Sequence, residues 1–140
     1  PYFYKFNNVL LGLNKYDLVM IDRRHKKSKN LDTKTNSYQF FRIKIGIIFN
    51  KIIRLFLPID YKDTQAGLKG FIKPNNFSKL NFVSKRFFFD LELILFFCLM
   101  KKKIKTIPVN FRVSRKSSIK IFDLNKNIEI LKELLKVISK

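Results

Sequence analysis

The sequence predicts an α/β layered domain, and three observations carry that expectation. Tyr16-Asp17-Leu18-Val19-Met20-Ile21 is a compact apolar run after a turn, with the length and bounds of a buried parallel strand. Phe41, Ile45, Ile48, Ile52 and Leu55 recur at the three-to-four spacing of a helix face. Along the rest of the chain, strand-like and helical segments alternate, as they do in α/β folds.

Taken in order, Pro1 to Leu13 reads as a short helix, with apolar residues at Phe3, Phe6, Val9, Leu10 and Leu13. The strand over 16–21 follows. Arg23 to Ser37 is strongly polar and basic and reads as a loop. Phe40 to Leu57 is a long helix. Ile47, Phe49, Ile53 and Phe56 make it apolar on more than one side, so it is sandwiched in a core or lies against lipid or a partner. Pro58 ends it. Asp63-Thr64-Gln65-Ala66-Gly67 has turn chemistry, with Gly67 expected to let the backbone turn sharply. Leu68 to Ile72 reads as a short strand, and Pro74 to Leu80 as a helix start. Phe87 to Lys102 is the next helix, with lysines at the negative end of its dipole. Ile104 to Phe111 is a strand whose Pro108 belongs at an edge or a bulge. Arg112 to Lys120 is a second basic loop, and Asp123 to Ile138 an amphipathic terminal helix.

With 140 residues, 1–140 is one domain or part of one, and 46% hydrophobic content can fill a core. Thirty basic residues against ten acidic ones give a formal charge of +20, which attracts nucleic acid, anionic lipid or phosphorylated ligands. Lys outnumbers Arg 23 to 7, and Asn, Ile and Phe abound, so A+T-rich codon usage is an equal explanation for much of that charge. The arginines are therefore more informative, because a guanidinium binds two phosphate oxygens at once. Cys98 and His25 are each alone of their type, so they make no internal disulfide and no zinc site. The most apolar window, Phe87 to Met100, is too short for a span and carries Asp90 and Glu92.

Four ordered stretches resemble the dolichyl- and undecaprenyl-phosphate sugar transferases of glycosyltransferase family 2. They are Tyr16 to Ile21 with Asp22-Arg23-Arg24, Phe41-Arg42 through Asn50-Lys51 to Leu57-Pro58, Asp63-Thr64-Gln65-Ala66-Gly67-Leu68-Lys69, and Phe89-Asp90-Leu91-Glu92-Leu93 followed by Ile107 to Phe111. The third is the most specific, close to the family's Asp-Thr-Gln-x-Gly-Phe-Lys. The departures are Ile21-Asp22 in place of a small Gly-Ser pair before the arginine, and Leu68 in place of Phe.

The resemblance covers nearly the whole chain. It implies the C-terminal half of a GT-A, Rossmann-like catalytic domain, with the N-terminal nucleotide- and metal-binding half absent from this chain. The implied activity moves a sugar from a nucleotide sugar to a polyprenyl phosphate, at the cytoplasmic face of a membrane. Attachment there is peripheral or through parts missing here, with the anionic membrane surface as a further partner. A divalent metal, Mg or Mn, is expected in the full-length enzyme, with its ligands outside this chain. The chain alone is expected to be inactive.

Two anions must meet in such a reaction, so cations are needed. Arg23 and Arg24 follow a strand, where a parallel sheet places ligands at its carboxyl edge. They read as phosphate contacts or as a solvated charge run. Arg42, and Arg115 with Lys116 in the second basic loop, are further phosphate candidates, and Gln65 is a candidate for the sugar or phosphate. Asp63 is the first carboxylate candidate, to position the acceptor or act as base; the other reading is a turn cap. Asp90 and Glu92 follow it, against a reading as helix N-terminal charges. The Phe-rich stretches read as core, and the helix over 40–57, with Lys44, Lys51 and Arg54, as the membrane-facing element. The competing class is a small basic nucleic-acid-binding protein. Against it, the aromatics cluster with aliphatics instead of interleaving with basic residues as a stacking platform requires.

Overall fold

The computed structural model describes residues 2–32, 37–79, 81–84, 88–112 and 124–139. It is a mixed α/β structure. A 3-10 turn at Phe3–Lys5 leads into α1 (Phe6–Leu13), followed by β1 (Leu18–Asp22) and the two-residue β2 (Lys29–Asn30). Next come α2 (Ser37–Phe56), β3 (Lys69–Phe71), a 3-10 turn at Asn75–Lys79 and α3 (Phe89–Leu99). β4 (Ile104–Pro108), β5 (Asn110–Phe111) and α4 (Leu124–Ile138) complete it.

The main sheet runs β3-β1-β4. β1 pairs parallel with β4, from Leu18 opposite Ile104 to Asp22 opposite Pro108, and antiparallel with β3, where Met20 faces Lys69. All five residues of β1 are buried, so an uninterrupted apolar run signals a strand covered on both faces. β4 lies at an edge, where Pro108 is tolerated. The next N–H, that of Val109, donates to Ser28 Oγ, and Ser28 in turn donates to the Asp22 carbonyl. That hydroxyl ties the two strand ends together. β2 and β5 extend the pairing in parallel just beyond them.

Gly70 on β3 lets α1 close on the sheet: a Cβ there would stand 2.7 Å from Val9 Cγ1 and 3.2 Å from Leu13 Cδ1. Leu18, Met20, Ile53, Phe88, Ile94 and Phe97 lie at the centre of the main core. Phe88 stacks on Phe49, and Phe97 meets Phe71 edge to face. Phe88 and Phe97 are fully buried, each stabilising by roughly 1.5–3 kcal/mol, as expected for the Phe-rich stretches. Phe89 is exposed and Phe87 lies outside the described residues.

Several expectations need correction. The third helix begins two residues later and ends three earlier than its sequence pattern. Lys101 takes a left-handed φ of 51°, and the Lys102 N–H reaches back to the Phe97 carbonyl, which stops the helix before the lysines. The helix start read after Pro74 is a short 3-10 helix, Asn75–Lys79, and the strand over 104–111 is interrupted at Val109. Gly67 does not adopt a positive φ, so the turn there does not depend on glycine's freedom. Of the settings the sequence leaves open for the long helix, the face at Phe41, Ile45, Ile48, Ile52 and Leu55 takes the outward one, while Gln39, Asn50 and Ile53 are buried and Phe49 packs against the core. Among the described residues, no helix is long and apolar enough to cross a membrane. The second basic loop, over 113–120, lies outside them.

Candidate functional site

The site forms at the carboxyl end of β1. The strand ends on Asp22, and the chain turns at once, sending Arg23 and Arg24 toward the segment that joins α2 to β3. That segment carries Asp63 into the same place. Asp63 is 3% exposed, and its carboxylate accepts three N–H groups from Arg23. The backbone N–H and Nε both donate to Oδ2, at 3.0 and 2.6 Å, and Nη2 donates to Oδ1 at 2.7 Å.

This forked pairing is the strong form of a charge-assisted contact. Burial alone would raise the Asp63 pKa. The Arg23 hydrogen bonds and charge win, and hold the carboxyl below the usual carboxylate range. The same hydrogen bonds push the Arg23 guanidinium up, with Tyr2 adding to the effect. An ionised carboxylate with three N–H donors is a poor proton acceptor. The geometry therefore favours positioning over base chemistry for Asp63: it fixes Arg23.

Arg24 differs from its neighbour. Its backbone N–H donates to Asp22 Oδ1 at 2.7 Å, and Nη1 donates to the Lys62 carbonyl at 2.7 Å. Among the described residues, no carboxylate oxygen lies within 4.0 Å of its guanidinium. Burial lowers its pKa, partly offset by the fields of Asp63 and Asp22. It rests under α2 at Gly46, where a Cβ would come within 3.4 Å of Nη2. Asp22 is buried too. Desolvation raises its pKa, the Arg24 N–H opposes this, and Asp63 adds to the rise.

Lys69 supplies a third cation. Its side chain is 6% exposed, and Nζ lies 3.2 Å from Asp90 Oδ1 and donates to the Ala66 carbonyl. Burial lowers its pKa, with Asp90 and Asp63 opposing. Lys69 thus links the start of α3 to the turn that carries Asp63. Asp90 is in the first turn of α3, as expected, and its carboxylate is paired. Glu92, two residues on in the same first turn, points into the core at 4% exposure and accepts the backbone N–H groups of Val83 and Ser84. That contact fastens the segment before α3 to the helix.

The remaining candidates divide. Gln65 is on the same turn and exposed. Arg42 lies on α2, its side chain outside what the structure describes, and Arg115 and Lys116 lie outside the described residues. Sequence reasoning gave no role to Asp22, Lys69 or Tyr2. Lys69 was visible as the last residue of the Asp63 motif, but its burial follows from pairing opposite Met20 and has no local signal. Among the described residues, no group of three or more His, Cys, Asp or Glu side chains converges as a metal ion would need. The chemistry available here is electrostatic: a fixed guanidinium, a second without a carboxylate partner, and a buried ammonium at one strand end. No family model, no curated protein and no solved structure matches this chain.

Proposed function

We propose that this chain is the C-terminal half of a GT-A glycosyltransferase domain, which transfers a sugar from a nucleotide sugar to a polyprenyl phosphate. One observation carries the reading. Arg23 and Asp63 belong to two separate stretches of the family resemblance, 40 positions apart, and they meet in a bidentate pair at the carboxyl end of a parallel strand. That is where open α/β sheets bind ligands. Asp90, from the fourth stretch, joins them through Lys69.

In this reading an oxygen of the lipid phosphate attacks the anomeric carbon. The new carbon–oxygen bond forms as the bond to the nucleotide diphosphate breaks, and the diphosphate keeps the electron pair. The attacking oxygen is already ionised near neutral pH, so no base is required. Arg24, with no carboxylate partner among the described residues, receives the acceptor phosphate. Arg23, held by Asp63, sets the geometry beside it. Preorganised cations of this kind lower the barrier because they need not reorient as charge moves. A divalent metal, Mg or Mn, would act on the donor diphosphate in the full-length enzyme. The described residues do not form its site, so no step of this chain runs through it.

The test uses the natural open reading frame that contains this chain, expressed in cells. Isolated membranes are given a panel of labelled nucleotide sugars with polyprenyl phosphate. A lipid-linked sugar that forms with the native sequence and is lost with Arg24→Ala supports the proposal. No lipid-linked product from any donor, with the protein folded and present, overturns it. Binding of single-stranded DNA that survives physiological salt would move the assignment to the nucleic-acid class.

A further inference from the structure

We infer that the outward face of α2 docks onto an anionic lipid surface. Unlike an ordinary surface helix, α2 turns an apolar stripe outward although Ile53 and Phe49 already pack against the core. Toward the protein it turns Gln39, Asn50, Gly46 and Ile53, the two amides being 8% and 7% exposed. Toward solvent it turns Phe41, Ile48, Ile52 and Leu55, and Ile48 and Leu55 are 58% and 78% exposed. Successive residues of that stripe lie seven, four and three positions apart, so they line one side of the helix. A contiguous apolar stripe of this kind marks an interaction surface.

The charges around the stripe select the occupant. Between Asp32 and Asp60 the chain has no acidic residue, and its cations there are Lys34, Arg42, Lys44, Lys51 and Arg54. Lys44 and Lys51 fall beside the stripe on the helical projection. Lys44 Nζ also lies over the Phe40 ring, 4.6 Å from its centroid, so its stem runs along apolar surface while its charge stays at the rim. Apolar residues flanked by lysines, with no acid, suit the boundary between acyl chains and anionic headgroups. A second copy of the chain would bring the same cations face to face. No helix among the described residues spans a bilayer, so the contact lies in the interface plane.

The inference shares a lipid surface with the proposed function, but rests on α2 alone, and its test needs no sugar transfer. The purified chain is sedimented with vesicles of phosphatidylcholine, with and without phosphatidylglycerol, lacking polyprenyl phosphate. Binding is expected only with the anionic lipid, and should weaken as salt rises. Ile48→Ser with Leu55→Ser leaves the net charge unchanged, and both side chains are exposed, so folding should persist. The pair should weaken partition by about tenfold or more, because two apolar contacts with the acyl region are lost. Unchanged vesicle binding by the folded pair overturns the inference. So does a native chain that ignores the vesicles and forms a dimer that the same pair dissociates. A native chain that binds the anionic vesicles, from an open reading frame that yields no lipid-linked sugar, would count against the proposed function alone.

Discussion

Arg23 encloses the carboxylate of Asp63 with three N–H groups, two on one oxygen and one on the other. One of the three is a backbone amide, so the contact fixes the chain direction after β1 as well as a side chain. Asp63→Asn keeps the shape but loses the charge, and its amide nitrogen meets a donor where an acceptor stood. We expect a loss of about 1.5–3 kcal/mol in stability by denaturant titration. This lies below the cost of breaking a fully buried pair, because the Arg23 side chain is 35% exposed. Since the folded pKa of Asp63 is depressed, the native contribution is complete above the unfolded carboxylate pKa of about 3.9. It is lost as pH falls through the folded value. The stability gap between native and variant should therefore close in acid. A gap that persists unchanged there would exclude the ion pair as its source.

Asp22 has the opposite sign. Burial raises its pKa, so its ionisation opposes folding, and stability falls as pH rises through the folded value. In Asp22→Asn the amide oxygen can still accept the Arg24 N–H, and the buried charge at this position is gone. The variant should be more stable than the native chain at neutral pH and lose that advantage in acid. Equal thermal midpoints at both pH values would contradict this.

The two glycines around β3 should respond differently. Gly70→Ala places a methyl group against Val9 on α1, and overpacking of this kind costs about 1–3 kcal/mol. Gly67 has no neighbour within 4 Å of an added Cβ and no positive φ, so Gly67→Ala should stay within about 0.5 kcal/mol of native. Unfolding curves of the two variants, side by side, make the comparison. A costly Gly67→Ala would restore a conformational role for that glycine.

Glu92→Gln separates a fastening role from a catalytic one. The carboxylate accepts the Val83 and Ser84 N–H groups, and an amide can accept them with only one oxygen. Stability should drop by about 1–3 kcal/mol, while phosphate binding at the β1 end stays at the native level. A stable variant with impaired phosphate binding would return Glu92 to the site.

Much of this was legible because it is local. The apolar run over 16–21 predicts a strand buried on both faces, and β1 is that strand, parallel to β4. Asp63 stood out through its motif and Arg23 through its position after the strand. That they bond to each other was not legible, because nothing local records a contact across 40 positions. Lys69 and Asp22 were hidden for the same reason: each is buried by strand pairing or by the turn beside it. The sequence leaves the orientation of the long helix open. Its period marks an apolar stripe correctly, but period alone does not say whether the stripe faces protein or something else. Here the amides Gln39 and Asn50 took the inner side.

Arg24 is central to the proposed site: among the described residues, no carboxylate lies within 4.0 Å of its guanidinium at the β1 end. The most direct measurement is calorimetric titration of the purified chain with a short-chain isoprenyl phosphate and with the matching alcohol, in native and Arg24→Ala forms. We expect saturable binding of the phosphate and none of the alcohol. Arg24→Ala should weaken it by about 10- to 150-fold, the equivalent of one charged hydrogen bond of 1.5–3 kcal/mol. Equal affinity for phosphate and alcohol, or equal affinity in the native and Arg24→Ala chains, would contradict the phosphate site and the function proposed from it.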